Sequence, residues 1–254
     1  MSRAIAYKTI LAREIRRFVR IWPQTILPPV ITTSLYFLIF GTLIGGRIGD
    51  MDGRPYMEYI VPGIILMSVI SNAYGNVVSS FYSTKFQRHI EELLIAPVPN
   101  WVILSGYVSG GVARGLCVGF VVALISSFFT SLTVLHYEIT LGILLLTAIL
   151  FSLAGFINAT FANSFDDISI IPNFVLTPLI YLGGVFYSIR LLPEFWQHIS
   201  RANPILYMVN AFRYGLIGVS DVDIAISFVI VIAFILLLIA ASLFLLHRGT
   251  GIKI

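Results

Sequence analysis

Charge is what this sequence has least of. Only 11% of its 254 residues are Asp, Glu, Lys or Arg, while 58% are hydrophobic. A soluble domain carries about 25% charged residues, so this chain could not cover a water-facing surface of its size. The mean hydropathy of +0.94 agrees, and a soluble enzyme and a disordered chain are both excluded. The composition fits a chain for which lipid replaces water as solvent. Cysteine is also scarce. Cys117 stands alone, which rules out an intrachain disulfide and any cysteine-built metal centre. The only lysines are Lys8, Lys85 and Lys253, and none sits in the G-x-x-x-x-G-K context of a nucleotide-binding loop. His89, His136, His198 and His247 are scattered, with no H-E-x-x-H pair. No catalytic, metal-binding or cofactor-binding residue is assigned, and the chain reads as a non-enzyme.

What is there is a set of long runs free of Asp, Glu, Lys, Arg and His: residues 21–46, 59–84, 115–135, 139–165, 168–189 and 224–246. Each is long enough for a helical crossing, which takes about 20 residues. The runs are too long and too uniformly apolar for barrel strands, and backbone polar groups in lipid must be satisfied within the segment. The expected fold is an all-α polytopic membrane protein with six transmembrane helices, a single domain over 1–254. No cleavable signal peptide and no soluble domain are expected. The apolar spans hold no carboxylate or histidine at mid-depth, which argues against a secondary carrier driven by protons or sodium, and against an embedded hydrolase. A carrier or channel without an ATPase partner stays as the alternative function.

Basic residues set the orientation. With six spans both termini share one side, which holds Arg3, Lys8, Arg13, Arg16, Arg17, Arg20, Lys85, Arg88, Arg248 and Lys253. The other side holds Arg47, Arg54, Arg190, Arg201 and Arg213. Ten against five places both termini in the cytoplasm.

Three segments do not span. Residues 4–20 form an amphipathic helix with Leu11, Ile15, Phe18 and Val19 on one face and Arg13, Arg16, Arg17 and Arg20 on the other. That pattern suits a helix lying in the interface, as an anchor or as an elbow touching a cytoplasmic partner. Residues 83–97 carry Phe86, Ile90, Leu93 and Leu94 as one apolar stripe, ended by Pro97 and Pro99; this is a loop helix or a docking helix. Residues 191–220 suit two short helices on the outer side, the second opened by an Asn203 cap with Pro204 at its first position.

Two polar stripes run inside spans. Ser68, Asn72, Asn76 and Ser79 share one face of the second, and Ser169, Asn173, Thr177 and Tyr181 one face of the fifth. Polar groups in lipid are costly unless paired, so both stripes are expected to face inward, either bonding helix to helix or lining a path for an amphiphilic substrate. Pro62, Pro172 and Pro178 lie in the same two helices and are expected to kink them. In the third span Gly111, Gly115 and Gly119 let a neighbouring helix approach closely. A helix from Trp101 to about Ser131 would carry Arg114 at the inner headgroup level, free to snorkel; a buried functional arginine is the alternative.

Two stretches carry a family resemblance. One is Arg88-His-Ile-Glu-Glu-Leu-Leu-Ile-Ala-Pro97. The other runs from Phe165-Asp-Asp-Ile-Ser-Ile through Pro178-Leu-Ile-Tyr-Leu-Gly-Gly-Val-Phe-Tyr187 to Leu192-Pro193, Asn203-Pro204 and Phe212-Arg213-Tyr214. With Arg17-Phe18 to Trp22-Pro23 at the start, the whole chain resembles bacterial ABC type-2 transporter permeases. The resemblance implies an elbow helix (4–20), a coupling helix (83–97) and a re-entrant hairpin (191–220) around six spans. It implies a homodimer in the bacterial inner membrane, each copy docking a separate ATPase that uses ATP and Mg. Lys85, Phe86, Gln87, Arg88, Ile90, Glu91 and Glu92, with Arg13, Arg16 and Arg17, would meet that subunit. The implied function is export of a lipid, glycan or drug-like substrate by alternating access. The second and fifth helices would line the path, which agrees with the stripes read from the residues.

Overall fold

The structure is a computed structural model that describes residues 2–95, 97–249 and 251. The side chains at 91, 93 and 94 fall outside that description, as does Lys253 of the charge count. In chain order the helices are α1 (Arg3–Arg20), α2 (Trp22–Ile48), α3 (Tyr56–Phe86), α4 (His89–Ile95), α5 (Asn100–Ser126) and α6 (Tyr137–Phe161), followed by α7 (Asp167–Leu182), α8 (Glu194–Arg201), α9 (Pro204–Ile217) and α10 (Ile224–Arg248). Between α2 and α3 a two-stranded hairpin pairs Asp50–Met51 with Arg54–Pro55. Its turn residues Asp52 and Gly53 both have positive φ, the backbone that an Asp-Gly hairpin turn requires.

Five helices among the described residues are long and apolar enough to cross a membrane: α2, α3, α5, α6 and α10. The fifth expected span, 168–189, is not one of them. Its helix α7 ends at Leu182, giving about 24 Å at 1.5 Å per residue against a hydrocarbon core of about 30 Å. Proline explains the break. Pro172 and Pro178 remove two N–H donors, and the ladder opens into a π-helical turn over Pro172–Leu176, where Thr177 Oγ1 takes up the carbonyl of Pro172 at 2.9 Å. Gly183 and Gly184, the latter at φ +73°, then turn the chain out of the helix.

The third expected span is also displaced. Freedom from charge extends to Leu135, but α5 begins earlier, at Asn100, and stops at Ser126. Residues 127–136 are a loop, whose Leu135 and His136 amides donate to Gly215 and Leu216 carbonyls. Those carbonyls are the unpaired last turn of α9, so the loop's apolar run serves as a helix cap. The Asn203 cap forms as expected: its side-chain oxygen accepts from Ile205 N at 3.0 Å, and its amide donates to Leu179 O.

The core is built on α3, whose residues Tyr59–Leu66, Val69, Ile70, Ala73 and Val77 are buried. Small residues set the spacing around it. A Cβ on Gly111 would come within 2.5 Å of the Val77 side chain, and one on Gly115 within 2.9 Å of Ala73. Gly119 lies against Val69, and Gly155 of α6 against the backbone of Tyr74. Close backbone approach of this kind replaces the hydrophobic drive that lipid does not supply.

Candidate substrate path and docking surfaces

The structure corrects the expected faces of α1. Its buried row is Ala6, Ile10, Glu14 and Phe18, while Ile15 and Val19 are exposed. A charged residue thus stands in the middle of the inner face. Space for it comes from α5, where Gly106 receives Ile10 and Gly110 receives Glu14. Its charge is met on three sides. Ser80 Oγ donates to Glu14 Oε1 at 2.7 Å, Arg13 Nη2 lies 3.3 Å from the same oxygen, and Arg17 Nε lies 3.6 Å from Oε2.

The two arginines reach further inward. Arg17 Nη2 donates to the backbone and side-chain oxygens of Asn76 at 2.7 and 2.8 Å, and Nη1 to Ser79 Oγ at 3.2 Å. Arg13 Nη2 donates to Tyr107 OH, which donates in turn to Thr84 Oγ1 at 3.0 Å. Burial pulls the Arg17 guanidinium down from its ordinary value and Glu14 pulls it back up. The network ties α1 to α3 and α5 by charge-assisted bonds. Of the elbow arginines expected at a docking surface, Arg16 is exposed, and Arg13 and Arg17 are spent within the chain.

Lys85 has a comparable fate. It is buried, and its Nζ donates to the carbonyls of Thr160 and Ala162 at 2.9 and 2.7 Å, placing a cation on the orphan carbonyls at the end of α6. Ile90 is buried as well. Phe86, Gln87, Arg88 and Glu92 are exposed. Arg88 adopts φ +60°, the sharp turn that separates α3 from α4. Phe86 is 62% exposed and packs its ring edge-on against Phe165, 5.1 Å between centroids. The turn 163–167 beside it is closed by a reciprocal pair: Ser164 Oγ accepts from Asp167 N, and Asp167 Oδ2 accepts from the amides of Asn163 and Ser164. Those amide bonds hold the Asp167 carboxyl below its usual range.

The two polar stripes have different surroundings. In α3, Asn76 and Ser79 are taken by Arg17, while Ser68 and Asn72 are half-buried and bond within their own helix. In α7, Ser169, Asn173, Thr177 and Tyr181 are all exposed on this chain, beside Phe174 at 77%. The inward-facing expectation therefore does not hold within one copy. At its far end Tyr181 OH lies 3.4 Å from Tyr36 OH of α2, and both rings pack on Phe186.

Ser68 and Asn72 open instead on a cavity of about 340 Å³ between α2, α3 and α5, lined also by Gln24, Thr32, Tyr36 and Arg114. Arg114 stands midway along α5, which ends at Ser126 and not near Ser131 but keeps 27 residues. Among the described residues it makes no hydrogen bond or ion pair, and its Nε is buried without a partner. An arginine at the centre of an apolar helix costs about 2.5–3.5 kcal/mol on insertion scales.

Two residues with strong roles gave little sign in the sequence. Glu14 is not singled out by the sequence reading; its spacing of four from Ile10 and Phe18 is the available signal. Arg213 counted only as an outer basic residue. It is fully buried, its guanidinium 3.9 Å from the Tyr59 ring centroid, with Nη2 donating to Gly184 O at 2.6 Å and Nε to Tyr59 O at 3.3 Å. It pins the α7–α8 turn and α9 to α3.

Comparison with known proteins agrees with this architecture. The model of the ABC-2 type transporter family matches residues 5–217. The chain is 58% identical over 249 residues to the Inner membrane transport permease YadH of Escherichia coli, covering 98% of this chain and 97% of that one. It is 24% identical to Nodulation protein J of Sinorhizobium fredii, over 71% of this chain and 69% of the relative, and 22% identical to Nodulation protein J of Rhizobium meliloti, over 72% and 71%. A family match from α1 to the end of α9, and identity above one half across nearly the whole length, leave one assignment: the chain belongs to the ABC-2 type transporter family.

Proposed function

We propose that this chain is the inner-membrane permease subunit of an ATP-driven exporter. Two copies pair, each docking one separate ATPase subunit that uses ATP and Mg, and an amphiphilic, glycan, lipid or drug-like substrate moves outward by alternating access. In this reading α7 is the fifth crossing, shortened by its prolines. Both termini are cytoplasmic, α1 is the elbow, α3–α4 the coupling corner, and α8–α9 the outer re-entrant hairpin. The two exposed α7 stripes face the path between the copies.

The observation that carries the reading is the continuity of α3. One uninterrupted helix runs through the packed core and ends in the exposed corner of Phe86, Gln87 and Arg88. Its own residues Asn76 and Ser80 are the anchors of the elbow network. A force on the corner therefore reaches the core and α1 together, which is what a lever driven from outside the membrane requires. No nucleotide loop occurs in the 254 residues, so the force has to originate in another chain.

The test is co-expression with an ATP-binding subunit. ATPase activity is expected only in the complex, and Phe86→Ala with Arg88→Glu is expected to abolish co-purification while leaving the permease's own Tm within about 1 °C, because neither side chain is buried. Asn72→Leu and Asn173→Leu are expected to alter substrate-stimulated ATPase. ATP turnover by this chain alone, or flux driven by an ion gradient without ATP, would sink the proposal.

A further inference from the structure

The cavity beside Arg114 has three properties that together define a ligand. First, it sets one cation and a few neutral polar groups in a mostly apolar wall. Arg114, Gln24, Ser68 and Asn72 line it, and no carboxylate does. Every other buried or half-buried cation described above has an internal partner: Arg13 and Arg17 share Glu14, Lys85 caps α6, and Arg213 sits on two carbonyls and a ring. Arg114 alone among them is left without one. A guanidinium away from bulk water persists at low cost only with an anion or several acceptors around it.

Second, the cavity is of headgroup size. About 340 Å³ accommodates a phosphate or carboxylate with a small polar substituent, and is too small for a whole diacyl lipid. Third, it does not end at a polar wall. Gln24, Pro28 and Thr32 are shared with a second hollow of about 410 Å³ on the exposed side of α2, where Leu27 and Ile31 make the surface apolar. The two form one site with a cationic end and an oily end.

We propose that this joined cavity binds an anionic amphiphile, with Arg114 on a phosphate-like headgroup assisted by Gln24 and Asn72, and the alkyl chain laid along Leu27 and Ile31. Guanidinium is the donor best shaped for a tetrahedral oxyanion or carboxylate, since it offers parallel N–H pairs. The neutral amides and hydroxyls around it bind sugar or glycerol hydroxyls as readily as phosphate oxygens. The site rests on the permease reading only for its purpose, as the place where a substrate amphiphile is held; binding itself needs no ATPase.

The experiment uses the full purified chain in dodecyl maltoside, without any partner, and dodecyl phosphate as the probe. Tm is recorded as dodecyl phosphate is titrated in, against inorganic phosphate at equal concentration and extra dodecyl maltoside as the uncharged tail. A saturating rise of at least about 5 °C with dodecyl phosphate is expected at a hundredfold excess over Kd, with neither control producing it. Arg114→Gln should weaken dodecyl phosphate binding by tenfold or more while folding at least as well, since it removes an unpaired charge. Ser71→Trp, an exposed position on the cavity rim, should block the site with Arg114 intact. Equal binding by Arg114→Gln, or an equal response to inorganic phosphate, overturns the proposal. Those results leave ATPase coupling untouched, and a failure of that coupling leaves the binding result standing.

Discussion

Glu14 is the most exacting position in the chain, because its carboxylate is fully buried in a helix otherwise rich in positive charge. Replacing it with alanine removes the acceptor of Ser80 Oγ at 2.7 Å and the counter-charge of Arg13 and Arg17. Breaking a fully buried pair costs about 3–5 kcal/mol, while an exposed pair is worth at most about 1 kcal/mol. Here the carboxylate side is buried and the arginine side chains are 44% and 30% exposed, so a loss of about 2–3 kcal/mol is expected. At about 2–4 °C per kcal/mol for a chain of this size, Glu14→Ala should lower Tm by about 4–12 °C. Glu14→Gln keeps an oxygen for Ser80 but loses the charge, so its cost should be smaller than that of Glu14→Ala by about 1 kcal/mol, the worth of that hydrogen bond. Gly110→Ala attacks the same contact from α5, since its Cβ would sit 2.5 Å from Glu14 Cβ. The assay is thermal unfolding of the purified chain for the three variants, for Ser80→Ala, and for Glu14→Ala combined with Ser80→Ala. The double variant should lose clearly less than the sum of the singles, because the two side chains share one bond. If Glu14→Ala melts within about 1 °C of the parent, or Glu14→Gln costs nothing, the reasoning about a buried charge cluster is refuted.

The fold was legible wherever a physical signal was local. Freedom from charge located the helices α2, α3, α6 and α10 to within a few residues at either end, and the Asn203-Pro204 cap announced the start of α9. It failed where charge was not the limiting term. Residues 127–136 are as apolar as a span, yet their amides are needed on the carbonyls of α9, a non-local demand. The prolines of α7 were read as kinks, but their cost in donors was enough to open a π turn and to leave the helix short. The site was harder still. Stripe periodicity found Ser68 and Asn72, but nothing in a single helix says that Asn76 and Ser79 belong to Arg17 of another. Sign of charge was equally ambiguous. Arginines on the polar face of an amphipathic helix read as headgroup ligands, and only the buried Glu14 between Ile10 and Phe18 turns two of them inward.

Further predictions follow the same logic. Lys85→Met leaves the Thr160 and Ala162 carbonyls without their donor, at about 2–3 kcal/mol; amide exchange over residues 156–162 should quicken by tenfold or more as the last turn of α6 frays. Arg213→Lys keeps the charge but not the planar fork that stacks on Tyr59 while reaching Gly184 O, and should lower Tm by more than about 4 °C; a Tm equal to the parent's would show that charge alone suffices. Asp167 supplies a pH dependence whose sign is fixed. Its pKa is lowered in the folded chain, first by the Asn163 amide and then by the Ser164 contacts. Its stabilising effect is therefore fully present above the ordinary carboxylate value of about 3.9 and is lost as pH falls through the depressed value. Protonation removes a charged acceptor from two amides at once and releases the turn that holds Phe165 against Phe86. Exchange of the Asn163 and Ser164 amides, corrected for its intrinsic pH dependence, should thus accelerate as pH falls below about 4. In Asp167→Asn the same amides should be less protected at neutral pH and show no such step. A step that persists in Asp167→Asn would assign the acid sensitivity to another carboxylate and break the link between this turn and the exposed corner.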